Sequence, residues 1–315
     1  MNRVVITGMG IWSCLGQTLS DVRQSLFEGK SGIIFSQERK DAGFRSALCA
    51  NVPMPNLKPF IARNMRQFMP EEAQYAYMAT KDALEAAKID QDFLDSHEVG
   101  IIYGNDSVAE ATMKALDKFR EFKDTSACGS GAIFQSMNST VTMNLACLFK
   151  LRGINLTSSA ACASSSLAIG NAYLLIKNGL QECIICGGAQ EANMYSVASF
   201  DGIQAFSTRE DEPTKASRPF DKNRDGLVPG GGAATVILES YEHAVKRGAP
   251  ILAEVVGWGF SGNGDHISTP NVAGPARSLE LALKNGGINP RQIGYINAHA
   301  TSTHAGDGRE AMAIS

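Results

Sequence analysis

Cys162 stands in the run LTSSAACASSSLAIG (156–170), with Ala160, Ala161 and Ala163 beside it and Ser164, Ser165 and Ser166 following. A thiol in such a setting can act as a nucleophile if it ionises and if another group can reach it. The small neighbours leave room for that approach, and they are a costly choice if packing were the only need. Upstream, GINLT (153–157) reads as a short buried strand. Downstream, Leu167, Ile169, Ala172, Leu174, Leu175 and Ile176 recur with helical rather than alternating spacing. The cysteine therefore falls at a strand-to-helix turn, where unpaired backbone N–H groups and the helix dipole favour a thiolate. The dipole contributes only about 0.3–1 kcal/mol at an exposed site. A dedicated nucleophile needs more help, and a histidine is the usual source. Free cysteine is also among the most buried residue types; the run of small residues is what separates Cys162 from a packing residue.

Five histidines are available. His97 lies in a polar loop and His243 on a charged helix (YEHAVKR), so both are expected in solvent. His266 sits in GNGDHISTP, where turn-making is the simpler role. His299 closes the apolar stretch IGYINA (293–298), read as a strand, and in α/β folds the carboxyl ends of strands collect catalytic groups. Thr301, Ser302 and Thr303 follow with hydroxyls for a polar ligand, and His304, on the next loop, ranks behind His299. Other chemistries are poorly served. Cys183 and Cys186 have the spacing of a redox or zinc pair, but no second CxxC or histidine pair accompanies them. Strand residues three apart also point to opposite faces, so both read as core and no metal is expected. Gly8 and Gly10 suggest a dinucleotide turn, yet the next glycine, Gly16, is too late for GxGxxG. No GxSxG elbow occurs, which argues against a serine hydrolase.

The elements that must position these groups alternate along the chain. Strands are expected at 3–7, 99–103, 153–157, 182–187, 234–238, 251–257 and 293–298, with Gly8 to Gly10 turning the chain out of the first. Helices are expected at 19–29, 71–87, 241–247 and 276–285. Two or three helical pieces cover 107–150, broken at the glycine-rich CGSGA (128–132), and 198–227 reads mostly as loop. The alternation indicates an α/β layered fold with mixed sheets. At 315 residues, 44% hydrophobic and 19% charged, the chain has the composition of a soluble globular protein. A net charge of −3 gives no overall basic field for nucleic acid or membrane partners. Seven cysteines form no small-scaffold framework, and a reduced compartment, the cytoplasm, is expected. The opening MNRVVITGMGIW does not read as a signal peptide, and no run of 18 apolar residues offers a membrane span.

Taken together, AACASSS (160–166), FDKNRDGLVPGGG (220–232) and NAHATSTHAGDGRE (297–310) resemble the β-ketoacyl-acyl-carrier-protein synthases, condensing enzymes of the thiolase superfamily. VVITGMG (4–10) and FDGIQAFSTRED (200–211) match as well, and the resemblance runs over essentially the whole chain. It implies a thiolase-like layered α-β-α-β-α fold of two similar halves. Residues 1–250 would be the half carrying the nucleophile, and 251–315 the beginning of the second, incomplete half. It implies dimerisation through the strand before the nucleophile, as a homodimer or with a related synthase. The implied reaction is a decarboxylative Claisen condensation in fatty-acid, polyene or polyketide synthesis. An acyl group moves from its carrier to the cysteine, and malonyl-carrier then decarboxylates to an enolate that attacks the thioester.

Carried onto this chain, the resemblance makes Cys162 the nucleophile, with its own N–H in an oxyanion hole. His299 becomes one of two neutral histidine donors to the thioester and enolate oxygens. Glu310 matches an acidic residue that supports the site. Thr301 and Thr303 match contacts to the phosphopantetheine arm, Met137 and Phe200 the acyl pocket, and Arg63 and Arg66 the docking patch for the acyl carrier protein. No cofactor is implied, since phosphopantetheine arrives on the carrier. Two positions depart from the family: Ala300 where it has glycine, and His304 where it has proline. The family also continues past the point matching Ser315, carrying there a lysine, the second histidine, the rest of the second sheet and a glycine-rich gating loop. The expectation is therefore either a C-terminally truncated synthase or a sequence that is itself incomplete. A non-catalytic partner subunit of the chain-length-factor kind is the alternative; the presence of Cys162 speaks against it and the missing tail speaks for it. A thiolase acting on coenzyme A thioesters shares the fold, but HATST points to the carrier-protein branch.

Overall fold

The computed structural model describes all residues from Met1 to Ser315. They form two compact units that interleave in sequence. The first comprises Met1–Gly32, Ala50–Ser199 and Gly230–Glu254; the second comprises Ile33–Cys49, Phe200–Pro229 and Val255–Ser315. Eight strands are present: β1 Val4–Trp12, β2 Ile33–Phe35, β3 Leu48–Ala50, β4 Val99–Gly104, β5 Asn155–Ser158, β6 Cys183–Gln190, β7 Gly232–Ser240 and β8 Ala253–Val255. Six of them make one mixed sheet in the order β5-β4-β6-β7-β1-β8, while β2 and β3 pair separately. Strand β4 runs parallel to β5 and β6, and β7 is antiparallel to β6 and β1.

Side-chain alternation sorts the two faces of this sheet. Ile101, Tyr103, Cys183 and Ile185 join the core cluster built on the helix Glu71–Ala86. Gly104 and Gly188, of opposite parity, lie against the helix Ser164–Lys177. Cys183 and Cys186 consequently face opposite sides and are both buried, as their spacing requires. With both faces covered, β4 is the uninterrupted buried run VGIIYG. The buried Tyr103 hydroxyl is satisfied by Thr235 Oγ1 at 2.8 Å.

Several expectations are corrected. Gly8 and Gly10 do not turn the chain; β1 continues to Trp12, with a register shift between Ile6 and Gly8. A Cβ at either glycine would lie 2.2 Å from the Ala83 carbonyl or 2.0 Å from that of Ala79. The glycines are there so that the helix can lie directly on the strand. The strand expected to be buried at 153–157 is instead the edge strand β5, with Leu156 47% exposed. The strand expected at 251–257 is reduced to β8, beside β1 in the first unit's sheet; Leu252 N–H donates to the Ile6 carbonyl at 2.9 Å. Residues 293–298 form no strand. They follow a short 3-10 turn, Pro290–Gln292, and expose Ile293, Tyr295 and Ile296. An apolar run becomes a strand only where another strand takes its backbone hydrogen bonds, and none in this chain does.

The helical pieces at Glu110–Phe122, Ala132–Gln135 and Thr140–Phe149 are broken around CGSGA as expected. The stretch read as loop from 198 is entered by the helix Met194–Gly202. In the second unit, helices Ala273–Gly286 and His304–Ile314 accompany the β2-β3 pair. No helix is long and apolar enough to cross a membrane.

His243 is another correction. Its Nδ1 lies 2.7 Å from Glu239, a fully buried carboxylate at the end of β7 that also takes Arg247 Nε at 2.8 Å and the Thr7 hydroxyl. Burial alone would push Glu239 up. The hydrogen bonds from Arg247, His243 and Thr7 outweigh it and hold the carboxyl down at about 2.

Candidate functional site

Cys162 is exposed and sits in a 3-10 turn, Ala161–Ala163, that leads directly into the helix Ser164–Lys177. The preceding residue, Ala161, has φ +49°. An alanine in the left-handed region costs on the order of 1–3 kcal/mol and persists only when its surroundings dictate it. Both neighbouring peptide groups are fastened here. Ser164 Oγ accepts from Ala160 N at 2.8 Å and donates to the Ala161 carbonyl at 2.7 Å. Asp106 Oδ1, just past β4, accepts from Ala161 N at 2.7 Å and from Ser159 Oγ at 2.9 Å. Gly104 and Gly188 bring β4 and β6 against the start of this helix. A Cβ on Gly104 would lie 2.5 Å from the Ser164 carbonyl carbon, and one on Gly188 2.5 Å from Ser165 Cβ.

In the second unit His299 is exposed, and its backbone is held by Glu310. The two carboxylate oxygens of Glu310 accept from His299 N at 2.6 Å and Ala300 N at 2.8 Å. Ala300 has φ +52°, a conformation that glycine adopts without strain. The carboxylate clamp is what holds alanine there. Ser302 also has positive φ, and its N–H donates to the buried Asp307 at 3.0 Å.

Asp307 further accepts from Phe220 N at 2.7 Å and pairs with Arg224 Nε at 3.2 Å. Arg224 in turn donates to the carbonyls of Thr303 and His304, each at 3.0 Å. The FDKNRDG and HATST segments are therefore one hydrogen-bonded structure. The hydroxyls of Thr301 and Thr303 lie 2.9 Å apart, and Thr303 caps the helix His304–Ile314 through Gly306 N at 3.0 Å. Part of their bonding capacity is thus committed to shaping the loop, and each hydroxyl keeps further capacity for a ligand. His304 is exposed at the first position of that helix.

The remaining candidates lie on separate elements. Met137 is exposed ahead of the helix Thr140–Phe149. Phe200 stacks on Phe206, with ring centroids 6.1 Å apart and planes at 9°. Arg63 is exposed on the short helix Arg63–Arg66, whereas Arg66 is half-buried with an unpartnered Nε. His266 accepts from Ser268 N and Thr269 N at 3.1 Å, which is a turn-making role. Burial pushes the Cys183 and Cys186 thiols well up, away from thiolate character.

Sequence reasoning missed Asp106, Ser164, Arg224 and Asp307. Only membership of the quoted motifs pointed towards the last three, and nothing pointed to Asp106. It also missed a carboxylate cluster, in which oxygens of Glu71, Glu110 and Glu191 lie within 4.8 Å of one another. Donors already occupy it: Asn193 Nδ2 bridges Glu71 and Glu191 at 2.9 and 2.8 Å, and Lys114 takes Glu110 at 2.6 Å. Beside it, Glu72 is fully buried and its carboxyl has no hydrogen-bond partner. Burial first, and then the charges of Glu191, Glu71 and Glu110, push that carboxyl up to about 8.

Comparison with known proteins accounts for the motifs together. The β-ketoacyl synthase N-terminal domain matches residues 1–244, and the β-ketoacyl synthase C-terminal domain matches residues 252–315. The chain is 38% identical to 3-oxoacyl-[acyl-carrier-protein] synthase 1 of Haemophilus influenzae, covering 100% of this chain and 77% of that protein. The crystal structure of a β-ketoacyl synthase from Burkholderia phymatum STM815 is similar with a TM-score of 0.95 at 37% identity, over 99% of this chain and 77% of that one. A chain in the structure of a type II PKS acyl-carrier protein in complex with its ketosynthase gives a TM-score of 0.85 at 28% identity, over 99% and 76%. The fold is thiolase-like, with its six-stranded mixed sheet as the frame, and the chain belongs to the β-ketoacyl synthase family of condensing enzymes.

Proposed function

We propose that the chain acts as a β-ketoacyl-acyl-carrier-protein synthase through an acyl-cysteine intermediate. The Cys162 thiolate attacks the carbonyl of an acyl thioester on the carrier's phosphopantetheine arm, and the carrier thiolate leaves. Charge developing on the carbonyl oxygen is met by backbone N–H groups at the head of the Ser164–Lys177 helix, among them that of Cys162 itself. Malonyl-carrier then loses carbon dioxide. The electron pair of the broken C–C bond passes to the enolate, and its carbon attacks the Cys162 thioester, returning the thiolate. His299, as a neutral imidazole, donates a hydrogen bond to the oxygen that gains charge. Glu310 supports this by fixing the His299 backbone.

Arg63 and Arg66 are proposed to meet the acidic carrier, Thr301 and Thr303 its phosphopantetheine arm, and Met137 and Phe200 the acyl chain. No resident cofactor takes part in this scheme. The edge strand β5 is suited to pairing with a second synthase subunit, identical or related, which would cover its unpaired backbone. A reduced cytoplasmic setting fits seven cysteines outside any disulfide, of which Cys162 must remain a thiol.

One observation carries the reading: an exposed thiol at the head of a helix, in a chain that matches this family from end to end. It also favours a catalytic subunit over a non-catalytic partner. The test is to incubate the protein with acyl-carrier and locate the acyl mass by peptide mass spectrometry, then add malonyl-carrier and look for β-ketoacyl product. Acylation of Cys162, lost in Cys162→Ala, is expected. Acylation elsewhere, or product formation by Cys162→Ala, would overturn the mechanism.

A further inference from the structure

We infer that Asp106 is a positioning residue for the nucleophile, acting through the backbone of Ala161. The inference rests on Cys162 being that nucleophile. Asp106 stands two residues past Gly104, the last residue of β4, and is thus anchored to a strand buried at every position. One oxygen, Oδ1, takes both the Ala161 N–H at 2.7 Å and the Ser159 hydroxyl at 2.9 Å. The chain is therefore fastened on either side of Ala160 by a single atom. Ala161 is the residue held at φ +49° immediately before Cys162. Its N–H lies ahead of the helix, where intrahelical partners are lacking. Without this acceptor the turn keeps only the Ser164 hydroxyl, on the Ala160 N–H and the Ala161 carbonyl, against relaxation of Ala161 to ordinary negative φ, which would swing the following residue, Cys162.

Asp106 is itself held in place. Its carbonyl accepts from Asn138 Nδ2 at 2.7 Å, the Asn138 carbonyl accepts from Asn105 Nδ2 at 3.0 Å, and Asn105 N donates to the Ser158 carbonyl at 3.1 Å. Three segments that are remote in sequence thus converge behind the thiol: the end of β4, the stretch containing Met137 and Asn138, and the turn after β5. A side-chain acceptor at 106 is what completes this arrangement, and what matters is where the acceptor oxygen lies, not its charge.

That distinction sets the experiment. Asp106→Asn keeps an oxygen at the Oδ1 position and removes the charge. Asp106→Glu keeps the charge and displaces the oxygen by a methylene, and Asp106→Ala removes both. For each variant the rate of Cys162 alkylation by limiting iodoacetamide is followed from pH 6 to 10, and acylation by acyl-carrier is measured with kcat and KM separated. Asp106→Asn should stay within threefold of the parent, with an unchanged pH midpoint. Asp106→Glu and Asp106→Ala should lose at least tenfold in acylation kcat at similar KM, and their alkylation midpoint should move. If Asp106→Ala does not fold, the Asn and Glu variants still decide the matter. Asp106→Glu near the parent with Asp106→Asn impaired would overturn the inference, as would parental behaviour of every variant. If the parent alkylates at Cys162 but is never acylated there, the enzymatic reading fails, while the alkylation profiles still test the role of Asp106.

Discussion

Replacing Gly104 by alanine tests how tightly the sheet controls the nucleophile. The added Cβ would lie 2.5 Å from both the Ser164 carbonyl carbon and Ser165 N, and 2.8 Å from the Ser164 carbonyl oxygen. Carbon contacts settle at about 3.5–4.0 Å, so something must move by about 1 Å. Strand β4 cannot give easily, because β5 and β6 flank it and Ile101, Ile102 and Tyr103 are completely buried. The displacement falls on Ser164 and Ser165, and Ser164 is the residue whose hydroxyl fastens the turn around Ala161. Overpacking of this kind costs about 1–3 kcal/mol, or roughly 2–4 °C in Tm per kcal/mol for domains of this order. A reacting group misplaced by about 1 Å can lose on the order of 100-fold in rate. The variant should therefore fold, melt a few degrees lower and lose far more acylation rate than its stability loss explains. Acylation of Cys162 by acyl-carrier, followed by mass spectrometry beside a thermal melt, reads both. A parental acylation rate and Tm would refute the claim that the glycine is there to admit the helix.

Among the seven cysteines, limiting iodoacetamide should modify Cys162 before Cys183 or Cys186, since the last two are buried with raised thiol pKa; peptide mass spectrometry gives the order. Glu310→Ala strips the acceptors from His299 N and Ala300 N and releases the clamp that holds Ala300 at positive φ. β-Ketoacyl product should fall at least tenfold while Cys162 alkylation is unchanged. Glu239 has a folded pKa of about 2 against an unpaired value of 4.5, so its stabilisation is complete above 4.5 and lost as pH falls towards 2. Glu239→Gln, leaving Arg247 unpaired, should cost about 3–5 kcal/mol at neutral pH and flatten the acid limb of a Tm-versus-pH curve. Glu72 has the opposite sign: raised from 4.5 to about 8, it favours the fold below 4.5 and loses that advantage as pH rises through 8. Glu72→Gln should raise Tm at pH 8 and change it little at pH 4.5.

What was legible in the sequence was local. The small residues around Cys162 and the helical spacing after it located the turn, because both the strand-to-helix change and the room around the thiol are written within fifteen residues. Alternation put Cys183 and Cys186 on opposite faces for the same reason. What was not legible depended on partners far along the chain. Gly8 and Gly10 look like a turn until the helix at Ala79 and Ala83 is seen lying on them. His243 looks solvated until Glu239 and Arg247 close around it. Residues 293–298 carry the apolar content of a strand, but pairing is a property of two segments, not one. Asp106 and Asp307 act on backbone N–H groups 55 and 87 residues away, and a short polar side chain carries no mark of such a target.

The place of β1 in the sheet bears on how the protein is made. It lies between β7 and β8, pairing Val4 with Ser240 and Trp12 with Ala233, so this strand leaves a ribosome well before either of its two neighbours. Translation proceeds at about 5–20 residues per second, which leaves VVITGMGIW without its sheet partners for roughly 10–45 s. During that time it is an apolar strand with two open edges, the kind of segment that associates with other nascent chains. Loop closure over so long a separation also makes docking of β1 a slow, late event in refolding. Production of this protein should accordingly respond to chaperone supply and to slower, cooler expression.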